Sequence, residues 1–199
     1  MSDLLTSWGY TIENTDTLPD LMTVAEFNTL TGNKFAGDAR VSSLLASAQI
    51  AIRNFCGWHL YPSRPCKFEA DSINVSRCIQ LPSRFVSGVE SVMVKDEPVL
   101  DYHVKTNGLV FLDGSVLGRS WNDVVVKFTS GLGDSQIGAL KEILAGRIAN
   151  ALTNSYGVQS ESAGGVSITY SLNWASNASA SSITDPLIAA LAPYKVQEV

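Results

Sequence analysis

Cys56 and His59 stand close enough along the chain to form a catalytic pair. A thiol beside an imidazole can act as a nucleophile if the two groups lie within hydrogen-bond reach. The pair follows an apolar helical pattern and precedes Pro62 and Pro65, with no obvious carboxylate to orient the histidine. A structural role for both residues is the favoured interpretation. A small hydrolase or metal-dependent enzyme that uses Cys56 and His59 is the alternative.

The same stretch contains four side chains that zinc could bind. These are Cys56, His59, Cys66 and Cys78. Their intervals match no common zinc module, because such modules place two ligands close together twice. We therefore expect no metal ion and no other cofactor in this protein.

A glycine-rich stretch, residues 131–141, lies between a strand pattern and a helix pattern, as a phosphate-binding loop does. Such a loop needs a lysine directly after its last glycine. Here Ala139 follows Gly138, and Asp134 brings negative charge to the place of the phosphate. The pattern favours a turn capped by Asp134 or Ser135 over a nucleotide site.

Composition narrows the class of protein further. The chain has 199 residues, 45% of them hydrophobic, and a formal net charge of −5. An acidic balance disfavours tight nucleic-acid binding, which needs a basic surface to displace counterions. No apolar run reaches the roughly 20 residues of a membrane helix, and the first residues lack a signal-peptide pattern. The three cysteines are most simply free thiols.

Two long amphipathic helices are predicted from apolar residues that recur every three or four positions. They span 39–55 and 136–155. Asp38 can cap the start of the first helix and Gly57 can close its end. A shorter helix over 24–30 should begin at the capping box of Thr23 and Glu26.

Strand patterns fill the region between the two long helices. They cover 67–70, 78–81, 88–95, 102–105, 109–112 and 124–128. Asn107-Gly108 between apolar runs predicts a β-hairpin, because both residues tolerate positive φ. The predicted fold class is therefore α+β: a small α-helical bundle of two main amphipathic helices, with an inserted antiparallel β region and a flexible C-terminal segment.

Five segments follow from this reading. They are an N-terminal arm (1–20), a first helical part (21–57), a β insertion (58–131), the second main helix (132–156) and a C-terminal segment (157–199). The last contains a Ser/Gly-rich loop, a strand over 166–172 and a short terminal helix that starts at Asp185-Pro186.

The order of these elements resembles a known family of structural proteins. A capped short helix is followed by a helix that ends in Phe55-Cys56-Gly57-Trp58, a β region and a strand that closes in 124–131. An amphipathic helix, a Gly/Ser loop, a strand and a terminal Leu-Ala-Pro-Tyr-Lys come after them. Over roughly 21–195 the chain is similar to the head–tail connector (adaptor, head-completion) proteins of long-tailed phages.

The resemblance implies a function without catalysis. Such proteins form homo-oligomeric rings, typically of twelve copies, beneath the portal protein. The ring extends the DNA channel and gives the tail or a stopper (neck) protein its docking surface. DNA passes through without specific binding, no membrane is involved, and the ring belongs to the virion neck after assembly in the host cytoplasm. The implied portal-binding residues are Leu187, Ile188, Leu191 and Tyr194.

Overall fold

A computed structural model describes most of the chain. The described residues are 3–72, 77–105, 107–113, 120–153, 160–163, 166–169 and 186–196. Side chains are described throughout these ranges except at 72, 120–123, 160–163, 166–169 and 186–188. Residues 160–163 of the predicted Ser/Gly-rich loop are described, whereas 157–159, 164, 165 and most of the predicted flexible C-terminal segment lie outside this description.

The helices begin close to where the sequence predicts them. They are α1 (Val24–Leu30), α2 (Arg40–Cys56), α3 (Gly138–Thr153) and α4 (Pro186–Leu191), which continues into a 3-10 turn, Ala192–Tyr194. The capping box of Thr23 and Glu26 is present at the start of α1, and Asp38 accepts the backbone N–H of Arg40 at the start of α2. Gly57, with φ +77°, follows the end of α2.

A six-stranded antiparallel sheet dominates the β structure. Its strands, in spatial order, are β1 (Leu4–Leu5), β2 (Tyr10–Ile12), β3 (Arg64–Ser72), β9 (Ser120–Ser130), β5 (Val86–Val94) and β6 (Glu97–Pro98). The central strand β9 pairs with β3 on one side and with β5 on the other. Its alternate residues Val124, Val126 and Phe128 are buried, so one face of the sheet carries a core.

A second sheet has three strands in the order β4 (Cys78–Gln80), β8 (Leu109–Leu112) and β7 (Tyr102–Val104). Strands β7 and β8 form the hairpin predicted around Asn107-Gly108, and Gly108 has φ +86°. A separate two-stranded pair joins β10 (Ser160–Ala163) to β11 (Val166–Thr169).

The chain forms two compact units, each built from segments that are distant in sequence. The sheet unit contains Met1–Pro19, Arg53–Ile137 and Tyr194–Val199, and the helical unit contains Asp20–Ile52 and Gly138–Pro193. Residues 4–12, predicted as part of an arm, are strands of the sheet unit. Helix α3 of the helical unit lies against α1 and α4.

The predicted fold, an α-helical bundle with an inserted β region, is wrong. The described residues are sheet-rich, with nine strands in the two larger antiparallel sheets. The largest fully buried side chains of the sheet unit include Trp58, Tyr10 and Phe128. The long helical stripes suggested that helices organise the core, whereas eight of the twelve largest fully buried side chains among the described residues belong to the sheet unit.

Candidate functional site

His59, one of the two residues of the alternative catalytic pair, lies fully buried in the sheet unit. Its Nδ1 is 2.7 Å from the Tyr10 hydroxyl oxygen, which also accepts the His59 backbone N–H at 3.0 Å. Its Nε2 lies 3.0 Å from the carbonyl oxygen of Pro62 and 3.1 Å from that of Ser130. Because carbonyl oxygens only accept, Nε2 carries the proton and Nδ1 accepts the Tyr10 O–H.

The protonation state of this cluster follows from its burial. Desolvation lowers the pKa of His59 to about 4, and the nearby positive charge of Arg53 acts in the same direction. Burial also raises the pKa of the Tyr10 hydroxyl well above its usual range. At neutral pH both groups are therefore uncharged, and every nitrogen of the imidazole has a hydrogen-bond partner.

Cys56, the other residue of that alternative pair, is also fully buried. Burial raises the pKa of its thiol to about 12, so the thiolate needed for nucleophilic attack is not formed near neutral pH. The imidazole that would serve as its base is occupied by Tyr10, Pro62 and Ser130. The geometry gives Cys56 and His59 structural positions in the core.

The four side chains that zinc could bind do not come together in a site. Within the part of the chain that the structure describes, no group of three or more His, Cys, Asp or Glu side chains could hold a metal ion. Cys66 is buried in β3, and burial raises the pKa of its thiol to about 12. Cys78, on β4 of the other sheet, is half-buried.

The polar cluster continues from His59 into the end of β9. The hydroxyls of Ser130 and Ser83 form a short hydrogen bond, and both residues are fully buried. The Ser130 hydroxyl also donates to the carbonyl oxygen of Phe85 at 3.0 Å. Sequence analysis missed Tyr10, Ser83 and Ser130, because their partners are 45 or more residues away and leave no local pattern.

Residues 194–196, from the predicted docking segment, are bound to the sheet unit by their backbone. The indole N–H of Trp58 donates to the carbonyl oxygen of Tyr194 at 2.6 Å. The N–H of Val196 donates to the Cys56 carbonyl at 2.9 Å, and the guanidinium of Arg84 donates to the Lys195 carbonyl at 3.1 Å. These bonds fix the path of the chain through its last described residues.

The four predicted portal-binding residues have different surroundings. Leu191 is only 3% exposed, on a helix that packs against α3. Tyr194 is half-buried, with its ring 6.1 Å from that of Phe85. Leu187 and Ile188 belong to α4, and their side chains lie outside the described residues. Leu191 is therefore used within its own chain.

The open face of the six-stranded sheet carries balanced charge. Lys67 and Lys127 are direct cross-strand neighbours on β3 and β9. Lys67 forms an ion pair with Glu69 at 2.6 Å, and Lys127 lies 3.7 Å from a carboxylate oxygen of Glu13. Each lysine thus has an acidic partner, so this face is not a basic patch.

Two leucines stand out at the edges of this sheet. Leu5, on the edge strand β1, is 78% exposed, and Leu100, two residues beyond the opposite edge strand β6, is 86% exposed. They are the most exposed large hydrophobic side chains among the residues whose burial is described. Elsewhere, none of the described helices is both long and apolar enough to cross a bilayer.

Comparison with known proteins relates the chain to particle components. No protein-family model and no curated protein matches the sequence. A chain from the neck of an empty GTA particle computed with C6 symmetry has a TM-score of 0.55 and 20% identity, over 94% of this chain and 96% of that one. A chain from the neck of a native GTA particle computed with C12 symmetry has a TM-score of 0.51 and 16% identity, over 92% and 97%.

A third solved structure gives the same result. A chain from the virion of a native gene transfer agent (GTA) particle matches with a TM-score of 0.54 and 16% identity, over 96% of both chains. At these identities the similarity concerns the fold. Over nearly its whole length, the chain therefore shares its fold with chains from the neck and virion of a gene transfer agent particle.

Proposed function

We propose that this chain is a structural neck protein of a phage-like particle: a head-to-tail connector (adaptor) that forms a ring under the portal. The observation that carries the proposal is the shared fold with two neck chains, over 92% and 94% of this chain and 97% and 96% of theirs. Such end-to-end agreement supports a common role better than a match to one widespread motif would. In this role the protein acts without catalysis and belongs to the virion.

A closed ring needs two different surface patches on each copy, because head-to-tail contacts join unlike surfaces. The necks of the matched particles were computed with C6 and C12 symmetry, which supports such an arrangement. Leu5 and Leu100 are exposed at opposite edges of one sheet. They give each copy an apolar position on two different surface patches, as a head-to-tail contact requires.

The remaining partners follow from the same proposal. The ring extends the DNA channel, and a tail or stopper protein docks on it. DNA passes without specific binding, which the net charge of −5 and the ion-paired lysines 67 and 127 support. Assembly takes place in the host cytoplasm.

Ring formation is tested with the whole chain, alone and added to tailless, portal-bearing heads from the same source. Electron-microscopy class averages and particle mass should reveal closed rings of uniform size, at least on the heads. A protein that remains a monomer in both settings and leaves the heads unchanged would contradict the proposed function.

For portal docking, we propose that Leu187 and Ile188 on α4 are the contacts, with Leu191 and Tyr194 supporting the segment from within. Deletion of the whole segment is a poor test, because residues 194–196 also bind Trp58 and Cys56. The double variant L187S/I188S is sharper. It should no longer join the heads, and its melting temperature, measured alongside, separates lost docking from lost folding.

The matched control is Ile50→Ser. Ile50 is an aliphatic residue on α2 that is 59% exposed, so its replacement also removes apolar surface from a helix. This control should join the heads as the wild type does. Normal joining by L187S/I188S, or equal loss in both variants, would remove the α4 assignment and leave the ring proposal standing.

A further inference from the structure

We propose that the hydrogen bond between Tyr10 and His59 is an acid-released latch that holds the N-terminal hairpin, residues 4–12, on the sheet. The hairpin consists of β1 and β2 and forms one edge of the six-stranded sheet. The inference rests on contacts inside the sheet unit and does not depend on the proposed function.

Protonation of His59 would reverse one ring contact and leave the others intact. The Nε2–H already donates towards the carbonyl oxygens of Pro62 and Ser130, and it does so in either charge state. Nδ1 accepts the Tyr10 O–H at 2.7 Å only while it has no proton. Once Nδ1 gains a proton, the Tyr10 oxygen can only accept from it, so the Tyr10 O–H has to turn away and loses its acceptor inside the buried core.

The groups around His59 do not offset the added charge. From α2, Arg53 donates to the His59 carbonyl and contributes a second positive charge. From β2, Tyr10 is neutral, and from β3, Cys66 is a neutral buried thiol. On β9 the nearest group is the Ser130 carbonyl. No carboxylate contributes to the His59 titration among the residues that the structure describes.

The hairpin is the part of the cluster that can leave. Strand β2 contributes three residues and β1 two, and both lie outside the longer pairing of β3 with β9. Pro62 and Ser130, by contrast, both lie beside Gly131. The N–H of Gly131 donates to the Phe85 carbonyl and keeps this part of the chain in place. Movement of residues 4–12 lets Nδ1–H reach water and leaves the rest of the sheet paired.

Release of the hairpin would uncover the edge of β3. Among the residues that now pair with β2, Lys67 would then present its free backbone N–H and C=O groups, because the backbone groups of alternate residues face opposite sides of a strand. Such groups accept another strand of any sequence that fits the edge. Acid therefore converts a closed edge of this sheet into an open one.

The test is hydrogen exchange of the whole wild-type chain between pH 7 and pH 3.5, corrected for intrinsic exchange rates. His59 titrates near 6.5 when free and near 4 when latched. Protection of the Tyr10–Ile12 amides should therefore fall about tenfold per pH unit between those values. At each pH the protection of these amides should stay below that of the β9 amides, which exchange only when the whole sheet opens.

The variant His59→Gln keeps one donor and one acceptor and gains no charge in acid. Its hairpin protection should lose the pH dependence between pH 6.5 and 4. Equal protection of β2 and β9 at every pH, or an unchanged slope in His59→Gln, would overturn the latch.

A second measurement needs no variant. Ring ¹⁵N shifts of wild-type His59 should report Nε2–H at pH 7, and Nδ1 should gain its proton in step with the loss of β2 protection. Protonation of Nδ1 without that loss would equally overturn the proposal.

Discussion

At the scale of single residues, Tyr10 is the most consequential side chain that sequence inspection passed over. Its hydroxyl accepts the His59 N–H and donates to the His59 ring, both in the buried core. A buried polar group that loses its hydrogen-bond partner destabilises the fold, because no water molecule is there to replace that partner. The consequences of losing this hydroxyl can therefore be predicted.

Tyr10→Phe removes the hydroxyl with little change of shape. We expect the free energy of unfolding to fall by about 1–3 kcal/mol, since both His59 groups lose their partner. Urea denaturation measures this change in the free energy of unfolding. The control is Tyr61→Phe, which removes the hydroxyl that donates to Asp134 near the surface and should cost under about 0.5 kcal/mol. Equal losses in both variants would contradict the buried cluster.

The pH dependence of stability follows from His59. Its pKa is lowered in the fold to about 4 from 6.5, so the unfolded chain binds the proton more readily. The contribution of neutral His59 to the free energy of unfolding is fully present above pH 6.5. It is lost as pH falls towards 4, by about 3 kcal/mol in total. Urea midpoints at pH 7 and pH 4.5 measure it. A wild-type difference no larger than that of His59→Gln would contradict this sign.

At the scale of elements, local patterns predicted most helices and strands correctly. The capping box, the start of α2 and the hairpin around Gly108 depend on residues within a few positions of each other. Sequence patterns detect such signals well because neighbouring residues set backbone angles and caps. The bounds of these elements were therefore largely predictable.

Contacts between distant residues were not predictable in the same way. Tyr10 meets His59 across 49 residues, and Trp58 meets Tyr194 across 136. No periodicity links such positions, so the sequence alone does not show that the predicted arm contributes β1 and β2 to the sheet. For the Cys56/His59 pair, weighed as the alternative to a structural role, two of the three partners that occupy His59 are also distant in sequence: Tyr10 by 49 residues and Ser130 by 71.

Gly131 illustrates how an element can depend on one backbone position. Its φ is +129°, and a Cβ there would meet the backbone of Pro62 and Ser63. Gly131→Ala should therefore destabilise the protein by more than about 1 kcal/mol. Thermal unfolding of the variant checks this expectation.

The matched control is Gly146→Ala on α3, where a Cβ would meet open space. Alanine favours a helix over glycine, so this change should stabilise the protein by about 0.5–1 kcal/mol. Opposite signs for the two glycines are expected. A tolerated Gly131→Ala would show that the close backbone approach is absent.

At the scale of the whole molecule, the sheet edges matter for the proposed ring. Leu5→Glu and Leu100→Glu each place a charge on an exposed apolar position. Neither leucine belongs to the core, so melting temperatures should change little. Each variant should form rings at least tenfold less readily than the wild type, as measured by particle mass against concentration.

Ile50→Glu, on exposed α2, serves as the control for the added charge. It should leave ring formation unchanged. Should both leucine variants assemble like the wild type, the contact lies elsewhere on the subunit, and the sheet edges can be set aside.

The sheet unit draws on both the earliest and the latest described parts of the chain: β1 and β2 near one end, and residues 194–196 near the other. A ribosome delivers these parts in order, so a nascent chain cannot complete this unit until synthesis has passed Val196. Prematurely terminated products would leave Trp58 and the Cys56 carbonyl without their partners. A copy whose synthesis stops before Val196 therefore lacks bonds that the complete sheet unit has.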